Sequence, residues 1–151
     1  MNTIDNIAEA RATLRKYLRG SKWTIISADT ARANPAELVR ARGDLWQRLD
    51  GRRKRWIASS WEGRAEAAVI VDDLPLPEAK RLAEDFGQVA FLTRWGEWGR
   101  MDWEGLMTPW HLDKWARDMI SFDVSDSWSE IEVPREGGVK LRFTLRKVGD
   151  Q

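Results

Sequence analysis

Apolar residues recur along this chain with two spacings. From Thr3 to Arg19, Ile7, Ala10, Leu14 and Leu18 stand three or four apart and Gly20 follows, which predicts an amphipathic helix. Its polar face carries Arg11, Arg15, Lys16 and Arg19. Trp23 to Ala28 is a short β-branched and aromatic run, which reads as a strand. A second helix follows, with Asn34 as cap, Pro35 in the first position, Glu37 as the capping-box partner and Gly51 past the end. Leu38, Ala41, Leu45 and Leu49 line one side of it. Arg55 to Ser60 and Ala67 to Val71 predict two strands joined through Trp61-Glu62-Gly63-Arg64. Pro77 opens a third helix with Ala79, Leu82, Ala83 and Phe86 on one stripe, closed by Gly87. Gln88 to Thr93 is a further strand, with Val89 to Leu92 buried on both faces.

Beyond it, Trp95 to Gly105 reads as a Trp/Gly-rich connection, and Thr108-Pro109 starts a helix bearing Leu112, Trp115, Ala116 and Met119. The chain then closes with a hairpin. Val139, Leu141, Phe143 and Leu145 alternate with Lys140, Arg142, Thr144 and Arg146, opposite Ser129 to Val133, so that Glu130 and Glu132 face basic residues.

The β-α-β-β-α-β order predicts an α+β fold: a ferredoxin-like βαββαβ sandwich, both helices on one sheet face, with the first and third strands central. The expectation is one domain over 1–151. Residues 22–94 form its ferredoxin-like centre, the N-terminal helix precedes it, and 95–151 add the Trp/Gly-rich loop, a C-terminal helix and the β-hairpin extension.

Composition narrows the chemistry. With no cysteine there is no disulfide, thiolate nucleophile or Cys-ligated metal. His111 is the single histidine, which excludes two-histidine phosphodiesterase and His-rich metal sites within one chain. No nucleophile-elbow pattern accompanies it. Asp72, Glu78 and Lys80 imitate a nuclease acid-acid-lysine set, but Glu78 and Lys80 fall in the first turn of a proline-opened helix, where an acid suits the dipole. Arg42-Gly43-Asp44 spells an adhesion tripeptide inside a helix and carries no weight. No apolar run reaches the roughly 20 residues of a membrane span. The expectation is a cytoplasmic protein with too few reactive side chains for conventional catalysis, and with no cofactor, no metal and no membrane contact.

Charge is uneven beneath the net +1. Residues 1–60 carry 13 Lys/Arg against 6 Asp/Glu, residues 61–136 carry 8 against 17, and the last fifteen return a small excess of cations. Such asymmetry marks either a basic binding face or two parts of one fold that attract. Arg52, Arg53, Lys54 and Arg55, beside Trp56, are the clearest cluster; they suit phosphates with a stacking ring next to them, hence nucleic acid or a nucleotide. Strand alternation offers the plainer account, Trp56 in the core and the cations solvated.

Tryptophan is the compositional outlier, with ten residues. Trp95, Trp98 and Trp103 interleave with Gly96, Gly99 and Gly105 and stand beside Arg100 and Met101. Trp and Arg dominate binding hot spots, so this loop predicts a surface for another protein. The competing account is a loop folded back over the core, with the indole N–H groups satisfied.

One family resembles part of the chain. Trp23-Thr24-Ile25-Ile26-Ser27-Ala28, the Glu66 strand and Leu82-Ala83-Glu84-Asp85-Phe86-Gly87-Gln88-Val89-Ala90 look like the small bacterial and phage proteins of domain of unknown function 3293, over about residues 23–92. The family pattern continues the first strand into a Thr-Ala-aromatic-Asn-Pro turn, where this chain has Ser27-Ala28-Asp29-Thr30-Ala31, and a helix asparagine of the family falls on Leu38. The resemblance implies Ser27, Glu66 and Gln88 as surviving polar positions and supplies no activity. Three readings therefore stand: a non-enzymatic interaction module, for instance a phage-borne regulator or inhibitor of host machinery; a nucleic-acid or nucleotide binder; and an enzyme on a small polar substrate around Ser27, Glu66 and Gln88.

Overall fold

The computed structural model describes residues 3–94, 96–99, 120–123, 125–133 and 139–145. Its elements run α1 (Thr3–Gly20), β1 (Trp23–Ser27), α2 (Pro35–Arg48), β2 (Lys54–Trp61), β3 (Arg64–Asp72), α3 (Leu76–Asp85), β4 (Ala90–Thr93), β5 (Gly96–Gly99), β6 (Ile120–Ser121), β7 (Trp128–Val133) and β8 (Val139–Leu145).

Local signals explain most boundaries. The Asn34 side chain accepts from Glu37 N at 2.8 Å and the Glu37 carboxylate accepts from Asn34 N at 3.3 Å, so α2 starts on a complete capping box with Pro35 behind it. The β2–β3 hairpin turns through Glu62 and Gly63 alone, both at positive φ, where glycine has no Cβ to clash. Gly87 ends the α3 region at φ +63. Val89, expected inside, is more than half exposed, one residue short of β4.

The ferredoxin-like sandwich expected from the element order is not the fold. Every strand pairing is antiparallel, and the order β5-β4-β1-β3-β2-β7-β8-β6 makes one sheet that curls into a half-barrel. Two findings overturn the expectation. The C-terminal hairpin is no extension: β7 lies along β2 through Ala58↔Glu130, Ser59↔Ser129 and Ser60↔Trp128, so β2 is not an edge. The opposite end also grows, because 96–99, read as connection, form β5 against β4. Adjacent strands rotate by about 20° each, so a sheet this wide curls, and both of its faces need cover. The predicted helix after Thr108 lies outside the described residues, as does the 134–138 connection of the hairpin.

The two faces carry two cores. On one, α2 and α3 bury Leu45, Leu49, Ala79, Leu82 and Ala83 against Ile26, Val69, Val71 and Phe91. On the other, α1 buries Ala10, Leu14 and Leu18 against Trp23, Ile25, Ile57, Ile70, Ile131, Val133 and Phe143. Alternation divides them: Ile25 and Ile70 face α1, while Ile26, Val69 and Val71 face α2 and α3. Trp23 joins α1 to the sheet, its indole N–H donating to Leu18 O at 2.8 Å and its ring meeting Phe143 edge-on at 6.2 Å. Ile7, placed on the apolar stripe by its spacing, is left exposed at the helix start. No helix among the described residues is long and apolar enough to cross a membrane.

Truncating Phe143→Ala should cost about 3–5 kcal/mol, because it opens a cavity at the point where α1, β1 and the C-terminal hairpin meet. Asn34→Ala, which removes only a cap, should cost about 1 kcal/mol. Urea midpoints of the two variants check the ranking; equal losses would mean that the hairpin does not share the α1 core.

Candidate functional site

Ser27, Glu66 and Gln88 are far apart in the chain, yet they line one small cleft on the α1 side of the sheet. The register explains it. Glu66 is opposite Ser59 on β2, Ser27 is opposite Ala68 two residues along from Glu66, and Ser59 is opposite Ser129 on β7. Four strands therefore deliver Ser27, Glu66, Ser59 and Ser129 to one end of the face whose other end is the apolar α1 core. Trp61, Ile25, Leu92 and Phe143 complete the walls.

Beneath this cleft runs a network anchored on Asp29, whose residue is only 6% exposed. Arg42 from α2 grips its carboxylate twice, Nε at 2.8 Å and Nη2 at 2.7 Å, and the Ala67 N–H donates to it at 2.9 Å. That bidentate hydrogen bond raises the Arg42 pKa further and keeps the guanidinium charged. The Gln88 amide donates to Asp29 O at 2.9 Å and to Phe86 O at 3.3 Å. Ser27 Oγ donates to Ala67 O at 2.7 Å and accepts from Asp29 N at 3.0 Å. Ser27 and Gln88 thus hold the β1–α2 turn in place, the Ser27 proton being spent on Ala67 O.

Glu66 differs from them. Its side chain is 10% exposed and its partner is Arg64 Nη2, 3.2 Å from Oε1. Burial pushes its carboxyl up from the ordinary 4.5; Arg64 and the Ser27 hydroxyl oppose the shift and the Asp29 charge adds to it. Ser27 can lend Glu66 its proton only by giving up the bond to Ala67 O.

The basic run divides across the sheet. Lys54 and Trp56 point to the α2 side, where Trp56 stacks on Trp46 at 5.3 Å and 13° and the Lys54 ammonium stands 4.5 Å from the Trp46 ring centre. Trp56 is 41% exposed, neither buried nor a free platform. Arg52 is occupied, bonded to Asp73 O and Glu78 at 2.8 Å each. Arg53 and Arg55 line the mouth of a second cleft, of about 290 Å³, between α1 and β2, β3 and β7. Its floor is Leu14, Ile70, Ile131 and Val133. Tyr17 and Asp72 stand at its wall, phenol to carboxylate 3.4 Å, and burial followed by that carboxylate pushes the phenol pKa up, so the hydroxyl stays a donor. Arg53 reaches Asp72 only at 3.9 Å and is 92% exposed. No acid among the described residues pairs with Arg55.

Trp95, Arg100, Met101 and Trp103 lie outside the described residues, and of Trp98 only the backbone, in β5, is described. Asp29, Arg42, Ser59 and Ser129 are the site residues that the chain order concealed. The one signal for Arg42 was its position on the polar side of a well-capped helix directly after Asp29. No family model, curated protein or solved structure matches the chain.

Because the Glu66 carboxyl is raised in the fold, its contribution to stability is complete below pH 4.5 and is lost as pH rises through its folded value. Glu66→Gln should therefore match the native chain near pH 4 and melt higher than it at pH 8; the reverse order at pH 8 would contradict the burial argument. Arg42→Ala leaves Asp29 buried without its cation and should cost about 3 kcal/mol at neutral pH, read from the urea midpoint.

Proposed function

We propose that this protein is a non-enzymatic binding module whose ligand is a nucleotide, free or within a single strand. One observation carries the reading: Arg53 and Arg55 stand side by side at the mouth of a cleft of about 290 Å³ with an apolar floor. Residues two apart on extended chain are roughly 6–7 Å apart and project to the same face. Two guanidinium groups from such neighbouring positions suit the oxygens of a phosphate, which a planar fork engages in pairs. The volume is at the lower end of small-molecule sites and accommodates a base against Leu14, Ile70, Ile131 and Val133. α1 adds Arg11, Arg15, Lys16 and Arg19 to the field that draws an anion. A cytoplasmic location accords with this ligand and with the lack of cysteine.

A protein partner is the second reading. It has the half-exposed Trp46–Trp56 stack with Lys54 as its support among the described residues, while Trp95, Arg100, Met101 and Trp103 lie outside them.

Calorimetric titration with a panel of mononucleotides and short single strands, at about 50 mM and 300 mM salt, tests the first reading. Binding should weaken with salt and fall at least tenfold in Arg53→Ala/Arg55→Ala, with the circular dichroism unchanged. A panel that fails to bind at low salt, or a double variant that binds as the native chain does, ends it.

A further inference from the structure

The Glu66 cleft is chemically lopsided, and the proton positions explain how. A serine has one proton to give. That of Ser27 goes to Ala67 O at 2.7 Å, and that of Ser59 to Trp128 O at 2.9 Å. Ser59 and Ser129 are 3.2 Å apart, and since the Ser59 proton is committed, Ser129 donates to Ser59. Both amide protons of Gln88 are taken by the carbonyls of Asp29 and Phe86. Ser27, Ser59, Ser129 and Gln88 therefore turn lone pairs to the cleft beside the Glu66 carboxylate, and the Ser60 proton goes to Asp126 O. The cation at its rim is Arg64, which engages one carboxylate oxygen and is itself 44% exposed. A nine-tenths-buried acid beside these oxygens, held by one guanidinium at its rim, suits a further donor.

Shape narrows the ligand. The cleft holds about 60 Å³, the liquid volume of about two waters, too small for a nucleotide or a sugar. One part of its wall is oxygen; Trp61, Ile25, Leu92 and Phe143 are among its apolar part. An ammonium group fits the oxygen end with its N–H bonds, and its methylene stem fits the apolar walls and the indole face.

We infer that the cleft formed by Glu66, Ser27, Ser59, Ser129 and Trp61 is a binding site for a primary alkylammonium group. The same headgroup occurs on a lysine side chain and on a free alkylamine. Bound there, it donates to Glu66, to Ser129 Oγ and to the carbonyl end of Gln88. The site is separate from the Arg53–Arg55 cleft, and it has the opposite charge preference.

The test is a titration of the full-length chain followed by the tryptophan indole N–H resonances, that of Trp61 assigned through Trp61→Phe. n-Butylammonium should shift the Trp61 signal saturably, and tetramethylammonium, which has no N–H, should bind at least tenfold more weakly. Glu66→Gln, expected to fold at least as well as the native chain, should weaken n-butylammonium at least tenfold, and Ser129→Ala several-fold. Arg53→Ala/Arg55→Ala should leave the titration unchanged, so failure of the nucleotide reading and failure of this one are separable. A lysine-bearing peptide that binds more tightly than n-butylammonium identifies a partner's side chain as the source; equal or weaker binding identifies a free amine. The inference is overturned if n-butylammonium produces no saturable shift, if tetramethylammonium or potassium binds equally well, or if Glu66→Gln binds unchanged.

Discussion

The buried carboxylate of Asp29 is the constraint on which the arrangement of this molecule depends. An ionised acid inside a protein is tolerable only where donors surround it, and here they come from two distant segments: the Arg42 guanidinium on α2 and the Ala67 N–H on β3. The Asp29 carbonyl takes a third bond, from Gln88 beyond α3. Satisfying one residue thus ties the end of β1 to α2, to the middle of β3 and to the approach of β4. Apolar burial of Ile26, Val69 and Leu82 supplies more free energy, but it is not directional. The hydrogen bonds to Asp29 are directional, and they determine where the β1–α2 turn sits relative to β3. Glu66 precedes Ala67, so the same bond that satisfies Asp29 sets the height at which Glu66 enters its cleft.

Sheet alternation then decides which side chains can act together. Arg53 and Arg55 reach the α1 side while Lys54 and Trp56 reach the α2 side, so a run that looks like one basic patch in the chain is two surfaces in the fold. On the α1 side the sheet is graded along the strands. Asp72, Arg53 and Arg55 occupy one end, the α1 core the middle, and Glu66 with three serines the other end. Two clefts of opposite polarity at the two ends of one apolar face follow from residues spaced at intervals of two.

Local chemistry was legible from the chain where the partner is near in sequence. The Asn34–Glu37 box, the Glu62-Gly63 turn and the alternation of β8 involve contacts within a few residues or one hairpin, and each is written in residue type. The docking of the C-terminal hairpin was not legible. Its register against β2 is carried by Ala58, Ser59 and Ser60 against Trp128, Ser129 and Glu130, about seventy residues apart, and small residues carry little pattern. An element order compatible with a four-stranded sandwich says nothing of whether β2 has a free edge; that was settled by the apolar side of β8, which needed the α1 core. Of the site, Ser27, Glu66 and Gln88 were visible through a resemblance, and the structure brings them together. Arg42 was not legible, because nothing in its immediate surroundings reveals a carboxylate thirteen positions earlier.

The position of Glu66 is the hardest to explain on stability alone. A glutamine there would retain the shape, could donate to the neighbouring lone pairs, and would avoid the cost of desolvating a charge that pushes the carboxyl pKa up. Asp29 shows that this fold can surround an acid with donors when the acid is structural. Glu66 has one partly exposed arginine and a wall of acceptors instead. Proteins carry such poorly compensated polar groups where function opposes stability, and the contrast between Glu66 and the acid bonded to the very next residue's N–H is the physical ground for proposing one as scaffold and the other as a ligand group.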